Sequence, residues 1–378
     1  MRILFALTGL HAVQRGAEVA FLAVAAELAR AGHAVTLIGT GPVLPDRPYR
    51  YLRGSRIARE RFERFPMVPA LRSDTMWEEL SFLPSLLRLY RPADYDITVT
   101  CSYPYTNWAL RRPVRGGQRP RHVFVTQNGD WPAQSDRSEF RLFGCDGLVC
   151  INPDFLERNR DRYRCALIPN GVDTARFTPG PADRARFGLA VDAPVVLMVS
   201  AMIASKNIAD GIRAVARLPG VQLAVAGDGP LRDELRALAG ELMPGRYRPL
   251  SVASPDMPAL YRSADAFLHL SRDESFGNVY VEALACGTPT VAHDLPRTRW
   301  ILGEEAFYVP PATGDIAAAL QQALGGGRLR REAMVARAAG FEWSRIAELY
   351  SAFFAEVLAA GEGARGNGAG ALDSLSTG

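Results

Sequence analysis

The feature that most constrains the fold is an alternation of short apolar segments with amphipathic helical segments, which runs through the chain twice. The short segments are bounded by Gly, Pro, Asn or Asp, as expected for parallel strands that are buried on both faces. Alternation at this spacing favours doubly wound α/β domains, in which ligands bind beyond the carboxyl ends of the strands. The predicted strands are 3–7, 33–39, 97–101, 122–127, 148–151 and 166–168, then 195–200, 222–226, 266–270 and 290–292, and the predicted helices are 16–31, 208–217, 231–239, 257–263, 278–286 and 343–358.

The length of 378 residues exceeds that of one ordinary hydrophobic core, so the two runs predict two domains. The boundary is placed at the turn-rich segment 169–179, which contains Asn-Gly and is followed by Gly-Pro. We expect an acceptor-binding domain over 1–172, a nucleotide-sugar-binding domain over 173–342, and a helix over 343–360 that packs back on the first domain. The segment 361–378 is rich in Gly, Ser and Ala, and we expect it to be disordered.

Composition excludes several classes of protein. Hydrophobic residues make up 48% and charged residues 22%, and no uncharged apolar run is long enough to span a bilayer. The net charge of +4 does not indicate nucleic-acid binding. The five cysteines lack metal-ligand spacing, and the apolar N-terminus resembles a buried strand more than an export signal. We therefore expect a reduced, cytoplasmic compartment.

The segment Arg47–Arg72 departs from this order because it contains many arginines and few acidic residues. One interpretation is a solvated face of an irregular helix. The other is a basic patch for an anionic acceptor or for peripheral contact with a membrane surface.

The strongest candidate site follows the predicted strand 266–270. A loop with Phe276-Gly277 leads into a helix, whose first backbone N–H groups and partial positive charge suit a diphosphate. Gly277 allows close backbone approach. Glu274 lies before the helix and Glu282 about a turn inside it, so one carboxylate can reach a sugar ring while the other accepts hydrogen bonds from ribose hydroxyls.

In this stretch the sequence resembles the large family of retaining GT-B glycosyltransferases, which includes bacterial mannosyl- and glucosyltransferases and sucrose synthases. Their E-x7-E element, usually written E-G-F-G-x-x-x-x-E-A-x-A-x-G-x-P, matches Glu274–Pro289 with Ser275 in place of a glycine. The resemblance implies an α/β GT-B fold, with two Rossmann-like domains facing each other across a cleft. It also implies that Glu274 contacts the donor sugar and Glu282 the ribose. The donor residues implied by this element are Glu274, Phe276, Gly277, Asn278 and Glu282.

Three further segments are similar to the family. The interdomain element I-P-N-G-V-D-x-x-x-F matches Ile168–Phe177, and the G-x-G-P turn near the nucleotide matches Gly227–Pro230. By itself, that turn is equally typical of any strand-to-helix connection. The loop after the first strand, which contains Gln14-Arg-Gly-Ala-Glu18, normally carries glycines that face the donor phosphate and the acceptor. The implied donor residues are Gly16, Asn170, Gly171, Gly227 and Gly229.

Lys206 is the single lysine among 44 basic residues, in an arginine bias typical of a GC-rich bacterial genome. It lies where relatives have G-R-L-x-x-x-K-G, and there the lysine faces the donor pyrophosphate. A compact ammonium on a flexible stem stabilises charge that grows on a leaving phosphate. The alternative is an ordinary solvated lysine.

Two departures from the family pattern concern catalysis. The arginine expected beside the lysine falls on Ala201, and Arg297 or Arg299 is a candidate to replace it. The histidine that relatives carry in the first domain falls at or beside Asn128, which cannot act as an acid or base near neutral pH. Asp130 is a candidate acceptor-site base, although an Asx turn explains it equally well.

The resemblance implies a transferase that uses a UDP- or GDP-sugar as substrate and a hydroxyl acceptor, with retention and without a cofactor. No D-x-D motif stands in a suitable loop, so we expect the reaction to be independent of a metal ion. The catalytic candidates are Lys206, Glu274, Asn128 and Asp130. Acceptors of three classes remain open, namely a secondary metabolite, a lipid or a polysaccharide unit. Rival interpretations are a sugar-nucleotide epimerase or phosphorylase of the same fold, a degenerate protein that only binds nucleotide sugars, and a basic membrane-bound scaffold.

Overall fold

The computed structural model describes residues 1–362 except 115, 116, 136, 138 and 139. The part of the expected disordered tail that covers 363–378 lies outside the described residues. Residues 361 and 362 are the last two residues of a helix, so they do not belong to the tail.

A parallel sheet of seven strands forms the first domain, in the order β3-β2-β1-β4-β5-β6-β7. Its inner strands are almost fully buried on both faces. This explains why hydrophobic residues and threonine run continuously along their sequences and do not alternate with charged ones. The strands are β1 Arg2–Ala6, β2 Ala34–Gly39, β3 Arg50–Arg53, β4 Ile97–Thr100, β5 Arg121–Val125, β6 Gly147–Cys150 and β7 Cys165–Leu167.

A parallel sheet of six strands forms the second domain, in the order β10-β9-β8-β11-β12-β13. Every strand pair recorded in either sheet is parallel, as a doubly wound fold requires. The strands are β8 Val195–Val199, β9 Gln222–Ala226, β10 Tyr247–Leu250, β11 Ala266–His269, β12 Thr290–His293 and β13 Phe307–Val309.

Helices cover both sheets, and the last one returns to the first domain. Helix α14 packs along α1, where His33 Nε2 and Ser351 Oγ lie 2.9 Å apart. The helices are α1 Gly16–Arg30, α2 Asp74–Leu89, α3 Tyr105–Arg111, α4 Trp131–Gln134, α5 Pro153–Asn159, α6 Arg184–Phe187, α7 Ile208–Ala216, α8 Arg232–Leu242, α9 Met257–Ser263, α10 Asn278–Ala285, α11 Pro296–Leu302, α12 Ile316–Gly326, α13 Arg331–Ala339 and α14 Trp343–Glu362.

The predicted α/β fold is confirmed, and the predicted strands agree with observed strands to within one or two residues. The strands that prediction missed are the edge strands β3, β10 and β13. β3 and β10 carry arginines and β10 contains Pro249, so their composition does not resemble that of a buried strand, whereas β13 is apolar but only three residues long.

The arginine-rich segment is not a helix face as the first interpretation had it. It is largely irregular and contains the edge strand β3 and a short 3-10 helix over Arg59–Phe62. Arg56 forms an ion pair with the buried carboxylate of Glu78, and Arg59 Nε lies 3.1 Å from Asp74. Part of the positive charge is therefore neutralised within the domain.

Strand order explains where a ligand site can form. In the second sheet the chain reverses its winding direction between β8 and β11, so the loops after these two strands diverge and leave a crevice. The equivalent point in the first sheet lies between β1 and β4. The two crevices face each other across the domain interface.

Candidate active site

A cleft of about 790 Å³ separates the two domains. Its first wall comes from the loops after β1 and β4 and from α1, and its second wall comes from the loops after β8 and β11 and from α10. The predicted site residues that line the cleft are Gly16, Asn128, Asn170, Gly171, Lys206, Glu274, Phe276, Gly277, Asn278 and Glu282.

Glu274 is the centre of a charged cluster on the second wall. Its Oε1 accepts hydrogen bonds from Lys206 Nζ and from His269 Nε2, the latter at 2.9 Å. Lys206 Nζ also lies 3.5 Å from Ser271 Oγ. Lys206 and Glu274 are 68 residues apart in sequence, and they meet because β8 and β11 are neighbours at the reversal of the sheet.

The electrostatics of Glu274 follow from these partners. Burial alone would raise the pKa of this carboxyl, but the hydrogen bond and charge of His269 and the charge of Lys206 lower it to about 2. Glu274 is therefore ionised throughout the neutral range. The cluster holds a carboxylate and an ammonium in direct contact near the N-terminus of α10.

The turn before α10 exposes the start of that helix to the cleft. Gly277 has a φ of +89°, and a Cβ at this position would lie 2.7 Å from the ring of Tyr280. Glycine fits here because it adopts a positive φ without strain and has no Cβ to clash with Tyr280. No side chain caps the helix, so its first N–H groups are available to an anion.

Glu282 lies one turn into α10 in a different environment. Its Oε2 accepts a 2.8 Å hydrogen bond from the hydroxyl of the fully buried Tyr261. Burial raises the pKa of Glu282, and the bond from Tyr261 opposes that shift. The Tyr261 bond fixes one edge of the carboxylate in the cleft wall.

A chain of amides connects the two walls. Gln127 Nε2 donates to Asn170 Oδ1 at 2.6 Å, and Asn170 Nδ2 donates to Asn278 Oδ1 at 3.0 Å. Asn152 of the first domain donates to the carbonyl of Ser275 at 2.5 Å. These bonds position the Glu274–Asn278 loop against the first domain.

Gly227 and Gly229 lie behind the cleft and do not line it. A side chain at Gly227 would collide with the carbonyl of Ser200, and a Cβ at Gly229 would lie 2.6 Å from the carbonyl oxygen of Met202. The two glycines therefore let the loop after β9 pack against the loop that precedes Lys206.

The structure contradicts a direct role for Asp130 as a base. Its carboxylate is buried and accepts bonds from Arg158 Nε at 3.0 Å, Arg158 Nη2 at 2.8 Å and Asn159 Nδ2 at 2.9 Å. It lies outside the cleft lining. Asn128 does line the cleft and is exposed there.

Neither arginine suggested as a replacement for the missing cation lies in the cleft lining. Arg297 Nη2 contacts Asp154 of the first domain at 3.2 Å. Arg299 contacts Asp294 at 2.5 Å, and its guanidinium lies 4.4 Å from the ring centroid of Tyr308. Each guanidinium has a carboxylate partner outside the cleft lining, although the buried Nε of Arg297 has no hydrogen-bond partner among the described residues, so the cleft lining does not support the proposed compensation.

Sequence reasoning missed several side chains of the cleft. His269 looked like an ordinary strand residue, and its position at the end of β11, five residues before Glu274, was the available signal. Glu18 is 4% exposed and lines the first wall, and its Oε2 has no hydrogen-bond partner. Arg15 and Arg176 also line the cleft.

Within the described ranges, no group of three or more His, Cys, Asp or Glu side chains is arranged to hold a metal ion. No helix in the same part of the chain combines the length and apolar character that a membrane crossing needs.

Two Rossmann-like domains that present a carboxylate, a lysine and an open helix start to a shared cleft define the GT-B class of nucleotide-sugar-dependent proteins. Comparison with known families agrees with this class. Residues 14–176 match the family described as Glycosyltransferase Family 4, and residues 181–339 match Glycosyl transferases group 1. The chain therefore belongs to the GT-B glycosyltransferase family.

Individual relatives are about one-third identical to the chain over the residues that align. It is 34% identical over 213 residues to the lipopolysaccharide core biosynthesis glycosyltransferase LpsE of Rhizobium meliloti, a match that covers 54% of this chain and 61% of LpsE. It is 33% identical over 258 residues to D-inositol 3-phosphate glycosyltransferase of Mycobacteroides abscessus, covering 60% and 57%. The matches thus span about three fifths of each relative's length.

Solved structures share the fold over nearly the whole chain. Sucrose-phosphate synthase from Thermosynechococcus elongatus superposes with a TM-score of 0.73 at 22% identity, covering 95% of this chain and 99% of that one. HepE from Anabaena, in complex with UDP and glucose, gives a TM-score of 0.69 at 19% identity, covering 94% and 99%.

Proposed function

We propose that this protein is a retaining glycosyltransferase that moves a sugar from a UDP- or GDP-sugar to a hydroxyl group of an acceptor, without a metal ion. The contact of Glu274 with Lys206 and His269 at the open start of α10 carries this proposal. Family membership and the names of the relatives, which are transferases of the lipopolysaccharide core and of inositol 3-phosphate, support it.

The donor is expected to bind along the second wall. Its diphosphate takes the N–H groups at the start of α10 and the ammonium of Lys206, and its ribose hydroxyls donate to Glu282. The sugar ring lies beside Glu274, whose negative charge suits hydroxyl donors and positive charge at the anomeric carbon. Because Lys206 contacts Glu274 directly, the cation lies where the diphosphate and the sugar join.

The reaction proceeds on one face of the sugar. The bond between the anomeric carbon and the phosphate oxygen breaks, the acceptor oxygen forms a bond to the same face of that carbon, and the acceptor proton passes to the departing phosphate. Catalysis then depends on positioning and on electrostatic stabilisation of the leaving group. No side-chain base is required, which agrees with the neutral amide at Asn128.

The acceptor is expected to bind at the first wall. The unpaired Oε2 of Glu18 is a buried hydrogen-bond acceptor, which is costly to leave without a donor. A hydroxyl group of the acceptor satisfies it. Thr8 and Ser102 line the same wall and offer further hydroxyl groups.

A thermal-shift screen of nucleotide sugars identifies the donor, because a ligand stabilises the fold that binds it. The identified donor is then incubated with methyl hexosides, myo-inositol, inositol 3-phosphate and lipopolysaccharide core oligosaccharide, and nucleoside diphosphate release is followed. We expect release that depends on acceptor, and a product whose anomeric proton coupling matches that of the donor. An epimerised donor with no release would identify an epimerase, and binding without turnover for every acceptor would identify a degenerate binder.

We also propose that the first domain contacts an anionic membrane surface through Arg47–Arg72. Exposed apolar side chains in this segment, Ile57, Phe65 and Met67, accompany the arginines, and such a combination suits the interface of a bilayer. Co-sedimentation with phosphatidylglycerol vesicles at low salt tests this. Binding should weaken in Phe65→Ser/Met67→Ser, and equal recovery of both proteins would refute the contact.

A further inference from the structure

Three Lys or Arg side chains line the described part of the cleft, and they differ in what they contact. Lys206 pairs with Glu274. Arg176 donates to Ser254 Oγ at 3.0 Å and lies over the ring of Phe177. The side chain of Arg15 forms no hydrogen bond or ion pair with any described residue, although its charge partly offsets the rise that burial causes in the pKa of the nearby Glu18. Among the described residues of the cleft lining, it is the Lys or Arg side chain without a polar partner.

The backbone places Arg15 opposite the expected diphosphate. Arg15 precedes the first residue of α1, and its carbonyl accepts the Val19 N–H at 2.9 Å. A Cβ at the next residue, Gly16, would lie 3.7 Å from Asn278 Nδ2. The loop that carries Arg15 therefore comes within van der Waals distance of the first residue of α10.

A donor diphosphate beside Lys206 would need a second cation to balance its charge. Lys206 already compensates the charge of Glu274, so it supplies only part of its positive charge to a diphosphate. The second wall has an exposed Ala201 at the arginine position of the G-R-L-x-x-x-K-G element, and Arg297 and Arg299 contact carboxylates outside the cleft lining. A guanidinium suits the task because its fork of N–H groups matches two phosphate oxygens.

We infer that Arg15 binds the donor diphosphate from the first domain and so replaces the cation that the second domain lacks at Ala201. This inference rests on the proposed function. It makes the diphosphate a bridge between the domains, held by Lys206 and α10 on one wall and by Arg15 on the other. Donor binding then depends on the relative position of the two walls.

The test compares ligands with and without the diphosphate. Dissociation constants of UDP, GDP, uridine and guanosine are measured by calorimetry for the wild type, Arg15→Ala and Arg15→Lys. For the base that binds, Arg15→Ala should weaken the diphosphate about 10-fold or more, the range of a charged hydrogen bond, and leave the nucleoside unchanged. Arg15→Lys should recover part of the loss. Glu157→Gln, an exposed change on α5, serves as the control.

A rescue variant sharpens the assignment. If Arg15 supplies the cation missing at Ala201, then Arg15→Ala/Ala201→Arg should recover diphosphate affinity that Arg15→Ala loses. Unchanged UDP and GDP affinity in Arg15→Ala, equal losses for diphosphate and nucleoside, or no recovery in the double variant would each overturn the inference. A wild type that binds neither diphosphate, in calorimetry or in the nucleotide-sugar screen, would instead refute the proposed function and the inference with it.

Discussion

The two walls of the cleft differ in how their charged side chains are compensated. On the second wall, Glu274 contacts Lys206 and His269, and Glu282 contacts Tyr261. These groups have protein partners before any ligand arrives. Their geometry is therefore set by the fold, as expected for a site that stabilises charge without reorganising.

On the first wall, the Oε2 atom of Glu18 and the guanidinium of Arg15 have no hydrogen-bond partner among the described residues. The Glu18 carboxylate packs closely against the loop after β1, since a side chain at Gly9 would collide with it. The comparison teaches that Glu274 and Glu282 on the second wall are held by protein partners, whereas Glu18 and Arg15 on the first wall keep hydrogen-bonding capacity that a substrate could use under the proposed function.

The largest expected effect comes from removing the central charge of the second wall. Glu274→Gln leaves Lys206 without its counter-charge and removes the sugar contact, so we expect kcat to fall by ~10²–10³-fold. The affinity for nucleoside diphosphate should stay or rise, because Lys206 becomes free for phosphate. Steady-state kinetics and calorimetry check both, with Glu157→Gln as control, and a kcat within twofold of the wild type would mean that this wall is not the catalytic one.

Glu274 on the second wall and Glu18 on the first should also differ in the sign of their contribution to the pH dependence of stability. The folded-state pKa of Glu274 is lowered to about 2, so its ionised form adds stability above pH 4.5 that is lost as pH falls. The advantage of the wild type over Glu274→Gln in free energy of unfolding should shrink by about 2 kcal/mol between pH 6 and pH 3.

Glu18 should behave in the opposite way, because burial raises its pKa. Ionisation then costs stability, so the wild type should lose stability relative to Glu18→Gln as pH rises above 4.5 through the folded-state pKa. Urea denaturation of both variants across this range measures the two trends. If both variants showed the same trend, the contrast between the paired carboxylate of Glu274 and the unpaired Oε2 of Glu18 would be refuted.

A smaller effect is expected from Tyr261→Phe, which tests whether the second wall is fixed by its own hydrogen bonds. The variant leaves Glu282 with a buried oxygen that lacks its donor, so the free energy of unfolding should fall by ~1–2 kcal/mol. The pKa of Glu282 should rise further, since the Tyr261 bond opposes the effect of burial. Denaturation and an NMR titration of the carboxyl carbon check the two effects, and no change in either would show that the bond does not fix the wall.

The smallest effect is expected from Arg299→Ala. Its guanidinium lies outside the cleft beside Asp294, and exposed ion pairs contribute little, so donor affinity should change less than about twofold. A large loss of diphosphate affinity would show that Arg299 contributes to donor binding, and it would weaken the case for Arg15.

Local sequence determined much of this protein. Apolar segments bounded by turn residues defined the inner strands, because burial on both faces of a parallel sheet requires such composition. The segment Glu274–Pro289 identified the turn and the helix of the second wall that follow the predicted strand 266–270. The single lysine marked a residue of that wall. Each of these signals lies within one element and its adjacent turn.

Tertiary structure decided which side chains meet. Strand order brought Lys206 to Glu274 across 68 residues and made His269 a partner of the same carboxylate. It also directed Asp130 to Arg158 and Arg299 to Asp294, away from the cleft. Spacing along the chain cannot fix such pairings, because a charged side chain pairs with whichever opposite charge the packing of distant elements places within reach. The same packing left the guanidinium of Arg15 and the Oε2 atom of Glu18 on the cleft wall without a hydrogen-bond partner among the described residues.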